Sequence, residues 1–212
     1  MSSTLDIRRI LLTAAMLALF AMIGTGLVAV SFTGTRERVE ANERAALLER
    51  LDTLLPDGSF DNDIVNDTLT VRAPNLLGTK QAVTVYRARK HGQPTAAILT
   101  PVAPDGYSGE IRLLVGIRYD GTLTGVRVLE HHETPGLGDL IEEGRSDWIT
   151  RFTGHSLSNP VDSGWKVKRD GGSFDQFTGA TITPRAVVKA VHQCLVYFSQ
   201  NREQLFASPP SP

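Results

Sequence analysis

Cysteine is nearly absent from this 212-residue chain: Cys194 stands alone. One thiol excludes an intramolecular disulfide framework. It also excludes a four-cysteine iron–sulfur cluster and a C-x-x-C-H haem attachment site within the chain. No charge of one sign dominates. The formal net charge is -1, and no basic patch of the kind that binds nucleic acid stands out. There is no internal repeat, and no H-E-x-x-H spacing that would mark a zinc site.

What the chain does have is one long uncharged run. Residues Ile10 to Thr33 carry no charged side chain. As a helix they span about 35 Å, enough for a hydrocarbon core of about 30 Å. Arg8 and Arg9 precede the run directly. A cleaved signal peptide is the rival reading, but its apolar region runs only about 7–15 residues. We therefore expect an uncleaved single-pass anchor at 10–33 after a short cytoplasmic N-terminus at 1–9. Arg36, Arg38 and Arg44 follow the span, so the positive-inside count alone leaves orientation open.

Beyond the membrane, Val39, Ala46, Leu47, Leu51, Leu54 and Leu55 mark an apolar helical face. This predicts a juxtamembrane helix over 34–58, ended by Pro56-Asp57-Gly58 and packed on its own domain. Residues Ser59 to Lys80, rich in Asp, Asn and Gly, read as irregular. Strand patterns then follow at Ala82–Tyr86, Ala96–Leu99, Glu110–Ile117 and Thr122–Leu129. Tyr119-Asp120-Gly121 marks a hairpin between the last two. Asp139 to Phe152 reads as helical and Trp165–Lys168 as a short strand. A final helix is expected from about Pro184 to Ser199. Strands first and helices late imply an α+β domain with an antiparallel sheet and flanking helices, over 59–206. The tail at 207–212 (ASPPSP) has a disordered composition.

The segment Asp175 to Pro184 (DQFTGATITP) carries the chemistry. Threonines and small residues stand just before a helix whose first turn contains Pro184. Thr183 is the expected N-cap, with its hydroxyl at the positive end of the helix dipole. Gly179 and Ala180 let backbone N–H groups approach a ligand, and a phosphate suits that setting. Taken alone, the pattern favours an ordinary capped turn, since caps of this kind are common. A second polar segment is Glu130 to Gly138 (EHHETPGLG). Its adjacent His131 and His132 cannot both point the same way from a strand, which argues against a shared metal. It reads as a polar turn ending a strand.

TGATIT, with Asp175 upstream, resembles the flavinylation motif of the FMN-binding domain family. In that family a flavin transferase uses FAD to attach FMN to the last threonine through a phosphoester. The resemblance places the attachment at Thr183, with Asp175, Thr178, Gly179, Ala180 and Thr181 completing the recognition pattern. ETPGLG is similar to the family loop that contacts the isoalloxazine, implying that Glu133, Thr134, Gly136, Leu137 and Gly138 line the flavin. Asp105 to Ile111 (DGYSGEI), the Trp148 region and the anchor-then-domain layout extend the likeness to most of the chain. The whole resembles the G subunits of Rnf (Rsx) ion-translocating electron transport complexes. The related C subunits of sodium-pumping NADH:quinone reductases are the nearest alternative.

The resemblance implies an electron-transfer subunit in a bacterial inner membrane. Its domain would face the periplasm, covalent FMN would be its only cofactor, and integral subunits of the complex would be its partners. It implies no catalytic residue and no complete activity in the isolated subunit. Two other readings remain open: a membrane-tethered flavin reductase, which would turn over a substrate without partners, and a non-redox assembly module, which would hold no flavin.

Overall fold

The computed structural model describes residues 3–56 and 58–207, and within the first helix it leaves the side chains of 3–6, 30–31, 33–40 and 43 undescribed. The chain divides into two compact units, one ending at Leu47 and the other beginning at Leu48. The first unit is helical. Helix α1 runs Ser3–Asp52, and within it Ile7–Ala29 is long and apolar enough to cross a membrane. Leu17, Phe20 and Leu27 are exposed along it, as lipid-facing side chains are. Thr13 satisfies its hydroxyl internally by donating to the Arg9 carbonyl at 2.9 Å, as a polar group in hydrocarbon must.

The second unit is an α+β domain. Strands β1 (Thr68–Val71), β2 (Val83–Lys90), β3 (Gln93–Leu99), β4 (Val102–Ala103), β5 (Ile111–Arg118) and β6 (Leu123–Glu130) form one sheet. Every pairing is antiparallel. β3 and β4 share one edge of β5, and β6 takes the other. The expected hairpin joins β5 to β6, with Gly121 at φ +93° supplying the left-handed residue of the turn. Helix α2 is a single turn, Pro74–Leu77, and α3 is long, Ile182–Phe206.

Two layers close the core. Ala186, Val187, Val191, Cys194, Leu195 and Phe198 of α3 are buried in one cluster with Val85, Leu99, Leu113, Val115 and Ile117 of the sheet. Where α1 ends, Leu51, Leu54 and Leu55 are buried. Gly116 and Gly125 face each other across β5 and β6. A Cβ on Gly125 would lie 2.9 Å from Leu54 Cδ2, and one on Gly116 would lie 3.4 Å from Leu54 Cβ. The paired glycines thus make the groove that Leu54 fills. The apolar face expected for the helix holds at Leu51 and Leu54; Ala46 is exposed, and the Val39 side chain is outside the described residues.

The C-terminal end of α3 is tied to the sheet by β2. Arg87 donates to the Leu205 and Ala207 carbonyls at 3.4 and 3.3 Å, and Arg89 to Phe206 at 3.0 Å. Asp67 pairs with both arginines. Cations at a helix C-terminus oppose the negative end of its dipole.

Four expectations change. Ser59 to Lys80 contains β1 and α2. Asp139 to Phe152 is two 3-10 turns, Gly138–Ile141 and Ile149–Phe152, in place of a helix. Trp165–Lys168 forms no strand; Val167 makes one isolated bridge to Phe174, because the chain turns back at Gly171 (φ +83°). Helix α3 extends well past Ser199 at its C-terminal end. Residues 208–212 of the expected disordered tail lie outside the described residues.

Candidate functional site

The site lies where α3 begins. An aromatic cluster sets the approach to it. Trp148 packs edge-on against Phe152 and Phe177, with centroids at 5.2 Å in each case, and Phe152 stacks on Phe174 at 4.7 Å. The Trp148 indole N–H donates to the Asp175 carbonyl at 2.7 Å. This holds the chain just ahead of the threonines. Gly179 then turns at φ +84°, and α3 starts.

Thr181, not Thr183, is the N-cap residue, and it makes no side-chain cap bond. The helix therefore starts two residues earlier than Pro184 and its threonine suggest. Thr183 lies inside the first turn with Pro184 next to it. The N–H groups of Ile182 and Thr183 have no intrahelical acceptor at those positions, and Pro184 has no N–H. Free donors and the dipole of a 25-residue helix face the same place.

The Thr183 hydroxyl is spoken for. The side chain is 1% exposed, and its Oγ1 donates to Glu133 Oε2. Glu133 is itself 5% exposed. Its Oε1 accepts the Ser108 N–H at 3.0 Å. Glycines make room for this carboxylate. A Cβ on Gly138 would lie 2.8 Å from Glu133 Oε2 and 3.0 Å from Thr183 Oγ1; one on Gly106 would lie 3.0 Å from Glu133 Oε1. At 2.8 Å something would have to shift, so a side chain at 138 would displace Glu133.

His131 fixes the start of the loop. Its Nδ1 accepts the Glu133 N–H at 3.0 Å, which leaves Nε2 to donate to Glu142 at 2.6 Å. His132 is exposed on the other side. The loop closes as Leu137 and Gly138 N–H groups both donate to the Thr134 carbonyl at 3.1 Å. Gly136 supplies the left-handed residue, φ +77°.

These segments enclose a cavity of about 290 Å³ lined by Tyr107, Glu133, Thr134, Leu137, Gly138 and residues 179–183. Eight residues singled out from the sequence therefore converge on it: Glu133, Thr134, Leu137, Gly138, Gly179, Ala180, Thr181 and Thr183. Three do not line it. Gly136 shapes the loop from behind, and Thr178 is exposed. Asp175 pairs outside the cavity with Lys168 at 2.6 Å and Arg151 at 2.9 Å. The Lys168 hydrogen bond, with the charges of Lys168 and Arg151, holds the Asp175 carboxyl below the usual carboxylate range. Tyr107 and Ile182 join the lining without having been singled out. Both are exposed large apolar side chains, as Leu137 is, and such a cluster at a cavity mouth marks a binding surface.

A larger cleft, about 500 Å³, lies between Glu49–Thr53 and Arg127–His131. His131 is its one residue from the sequence segments that carry chemistry. Four of its lining residues are paired with one another, Arg127 with Glu143 and His131 with Glu142. The smaller cavity is the better site because free N–H donors, a buried hydroxyl and an apolar rim meet there. Elsewhere, Cys194 is fully buried and burial pushes its thiol far up, so it is a packing residue. His192 is half-buried, stacked on Trp165 at 5.4 Å and 3.0 Å from Asp162.

Residues 106–196 match the FMN-binding domain, and residues 1–54 match the RnfG N-terminal region. The G subunit of the ion-translocating oxidoreductase complex of Pseudomonas aeruginosa is 52% identical over 200 residues, 94% of each chain. The chain belongs to the family of ion-translocating oxidoreductase G subunits. Family members from Pseudoalteromonas atlantica and Shewanella oneidensis are 47% and 45% identical, over 91% and 92% of this chain and 89% and 92% of theirs. A crystal structure of Shewanella oneidensis NqrC aligns at a TM-score of 0.47 and 25% identity, over 72% of this chain and 74% of that one. In this family member, the cavity at the start of α3 falls inside the FMN-binding segment, and the membrane-length helix falls inside the N-terminal one.

Proposed function

We propose that this chain carries FMN esterified to Thr183 and relays electrons within an ion-translocating membrane oxidoreductase. The single observation that carries the reading is the Thr183 hydroxyl: it lines a cavity whose other walls are the two segments the sequence marks for flavin. The residues fit the group. The N–H donors of Ile182 and Thr183 suit a phosphate. Thr134, Gly138, Ala180 and Thr181 offer little bulk beside them. Tyr107, Leu137 and Ile182 give a flat apolar ring exposed surface to cover. The cavity itself is too small for a whole FMN, so these rim side chains would bear the ring.

Bound there, FMN supplies the redox chemistry, and the protein supplies position and electrostatics. An ester keeps the cofactor in place where no pool of free flavin would refill a reversible site. Helix α1 anchors the domain to the membrane. The domain faces the periplasm, and the flavin transferase meets it there during maturation. Other subunits of the complex give and take the electrons, and Asp175, Thr178 and Gly136 belong to recognition by the transferase and to loop shape.

The test is flavin fluorescence of the denatured chain in a gel after co-expression with a flavin transferase. A fluorescent wild type and a dark Thr183→Val support the reading. A dark wild type beside a labelled control substrate overturns it. Turnover of a small soluble substrate by the isolated chain would instead favour a tethered reductase.

A further inference from the structure

Thr183 is the residue to be modified, yet its hydroxyl proton already has a recipient. We propose that Glu133 is the base in this chain's own flavin attachment, accepting the Thr183 proton as the ester forms. The inference rests on the attachment reading above.

Three observations carry it. First, Glu133 Oε2 is the acceptor of the Thr183 Oγ1 hydrogen bond, and both side chains are buried. An alcohol is a weak nucleophile until a positioned base takes its proton, and a base must be within hydrogen-bond reach of that proton. Second, Glu133 is held for the task. Ser108 N–H fixes one oxygen, His131 fixes the backbone N–H, and Gly106 and Gly138 are emptied of side chain around the carboxylate. Packing alone does not call for a carboxylate here; a buried acid is costly unless its hydrogen bonds are all made. Third, Glu133 and Thr183 both line the cavity that the phosphate would enter, with the Ile182 and Thr183 N–H groups beside them.

The step balances. A lone pair of Thr183 Oγ forms a bond to the FMN-side phosphorus of FAD. The phosphorus–oxygen bond to AMP breaks, and AMP leaves with that electron pair. The hydroxyl proton passes to Glu133 Oε2, and nothing is oxidised or reduced. Glu133 ends neutral, which removes the repulsion a carboxylate would have for the phosphodiester formed beside it and lets it donate where it had accepted.

Glu133→Gln is the informative change because it keeps size and the Ser108 bond while removing the base. The detergent-solubilised full-length chain is incubated with FAD and purified transferase, and attached flavin is followed by intact mass. We expect kcat for attachment to fall about 100-fold or more, within the usual range for a general base. KM for the chain stays within about threefold, because the recognised surface is unchanged. Glu133→Asp, which keeps a carboxylate at shorter reach, recovers part of the rate. It also serves alone, as a partial loss in kcat, if Glu133→Gln melts below the assay temperature. A folded Glu133→Gln chain labelled at the wild-type kcat overturns the proposal, as does a loss seen only in KM. If the wild type stays unlabelled, or Thr183→Val labels equally, the attachment reading itself falls and takes this one with it.

Discussion

Adding one methyl group at Gly138 should damage the site from the inside. The Cβ of Gly138→Ala would stand 2.8 Å from both Cβ and Oε2 of Glu133, and 3.0 Å from Thr183 Oγ1. Both neighbours are buried and bonded to each other, so neither can swing into solvent without losing its partner. Overpacking of this kind costs about 1–3 kcal/mol. For a domain of this size, each kcal/mol moves Tm by about 2–4 °C. The expected drop is therefore about 2–12 °C, read by thermal denaturation of the solubilised apoprotein. Gly144→Ala is the control, since its Cβ would meet nothing within 4 Å. It should leave Tm within about 2 °C, as surface substitutions do. Equal melting of the two variants would refute the claim that Glu133 and Thr183 are packed against Gly138. The same displacement should slow flavin attachment in Gly138→Ala and not in Gly144→Ala.

Other consequences follow from the same structure. Burial lowers the His192 pKa below its ordinary value, only partly opposed by Asp162; the folded state then favours neutral imidazole, so its contribution is full above the unfolded pKa of about 6.5 and is lost as pH falls toward the folded one. The Tm advantage of wild type over His192→Gln should accordingly shrink as pH falls below about 6.5, and a constant or growing advantage would contradict it. Cys194 should resist an aqueous thiol reagent in the native chain and react stoichiometrically after unfolding, because it is wholly buried; rapid native labelling would place it elsewhere. Asp175→Asn should cost less than about 1 kcal/mol of stability, since its ion pairs are exposed, yet it should slow attachment if the transferase reads that carboxylate; unfolding of the variant would assign Asp175 a structural role instead. Arg87→Ala should cost about 1–3 kcal/mol, because it leaves Asp67 with Arg89 as its one arginine partner and takes these donors from the Leu205 and Ala207 carbonyls; a silent substitution would show that Arg87 does not help hold the end of α3.

How legible all this was depends on what kind of signal each feature leaves. The anchor, the β5–β6 hairpin and α3 announce themselves by uninterrupted apolarity, a Tyr-Asp-Gly turn and helical periodicity. β1 does not, because it is four residues at the sheet edge with no fully buried position. α2 is one turn with no side-chain cap, so Pro74 is its one start signal, and a single turn is too short to show a helical period. Asp139 to Phe152 has apolar spacing that suits a helix, but Leu140, Ile141, Ile149 and Phe152 are recruited by two separate 3-10 turns with an exposed Gly144 between them. Trp165 and Val167 look like strand residues because both are buried, yet they pack into an aromatic cluster rather than pair in the sheet.

The site was legible in its parts and not in its joining. Two motifs pointed to one ligand, and they do meet. The Glu133–Thr183 bond spans fifty residues of sequence, and no local pattern carries a contact of that range. It is also why the cap was misplaced: Thr183 looks like an N-cap by type, but its hydroxyl serves a distant carboxylate, and the helix begins at Ile182 instead. Tyr107 and Ile182 were hidden for a different reason. Exposure of a large apolar side chain at a cavity mouth is a property of the fold, not of the residue.

The proposed ester joins FMN to Thr183 and to no other residue. Peptide mapping by tandem mass spectrometry of the wild-type chain, co-expressed with a flavin transferase, can locate it. One modified peptide spanning 176–185 is expected, heavier by FMN less one water, with the fragment ions placing the added mass on Thr183. Modification at Thr178 or Thr181, or no covalent mass beside a modified control substrate, would contradict it.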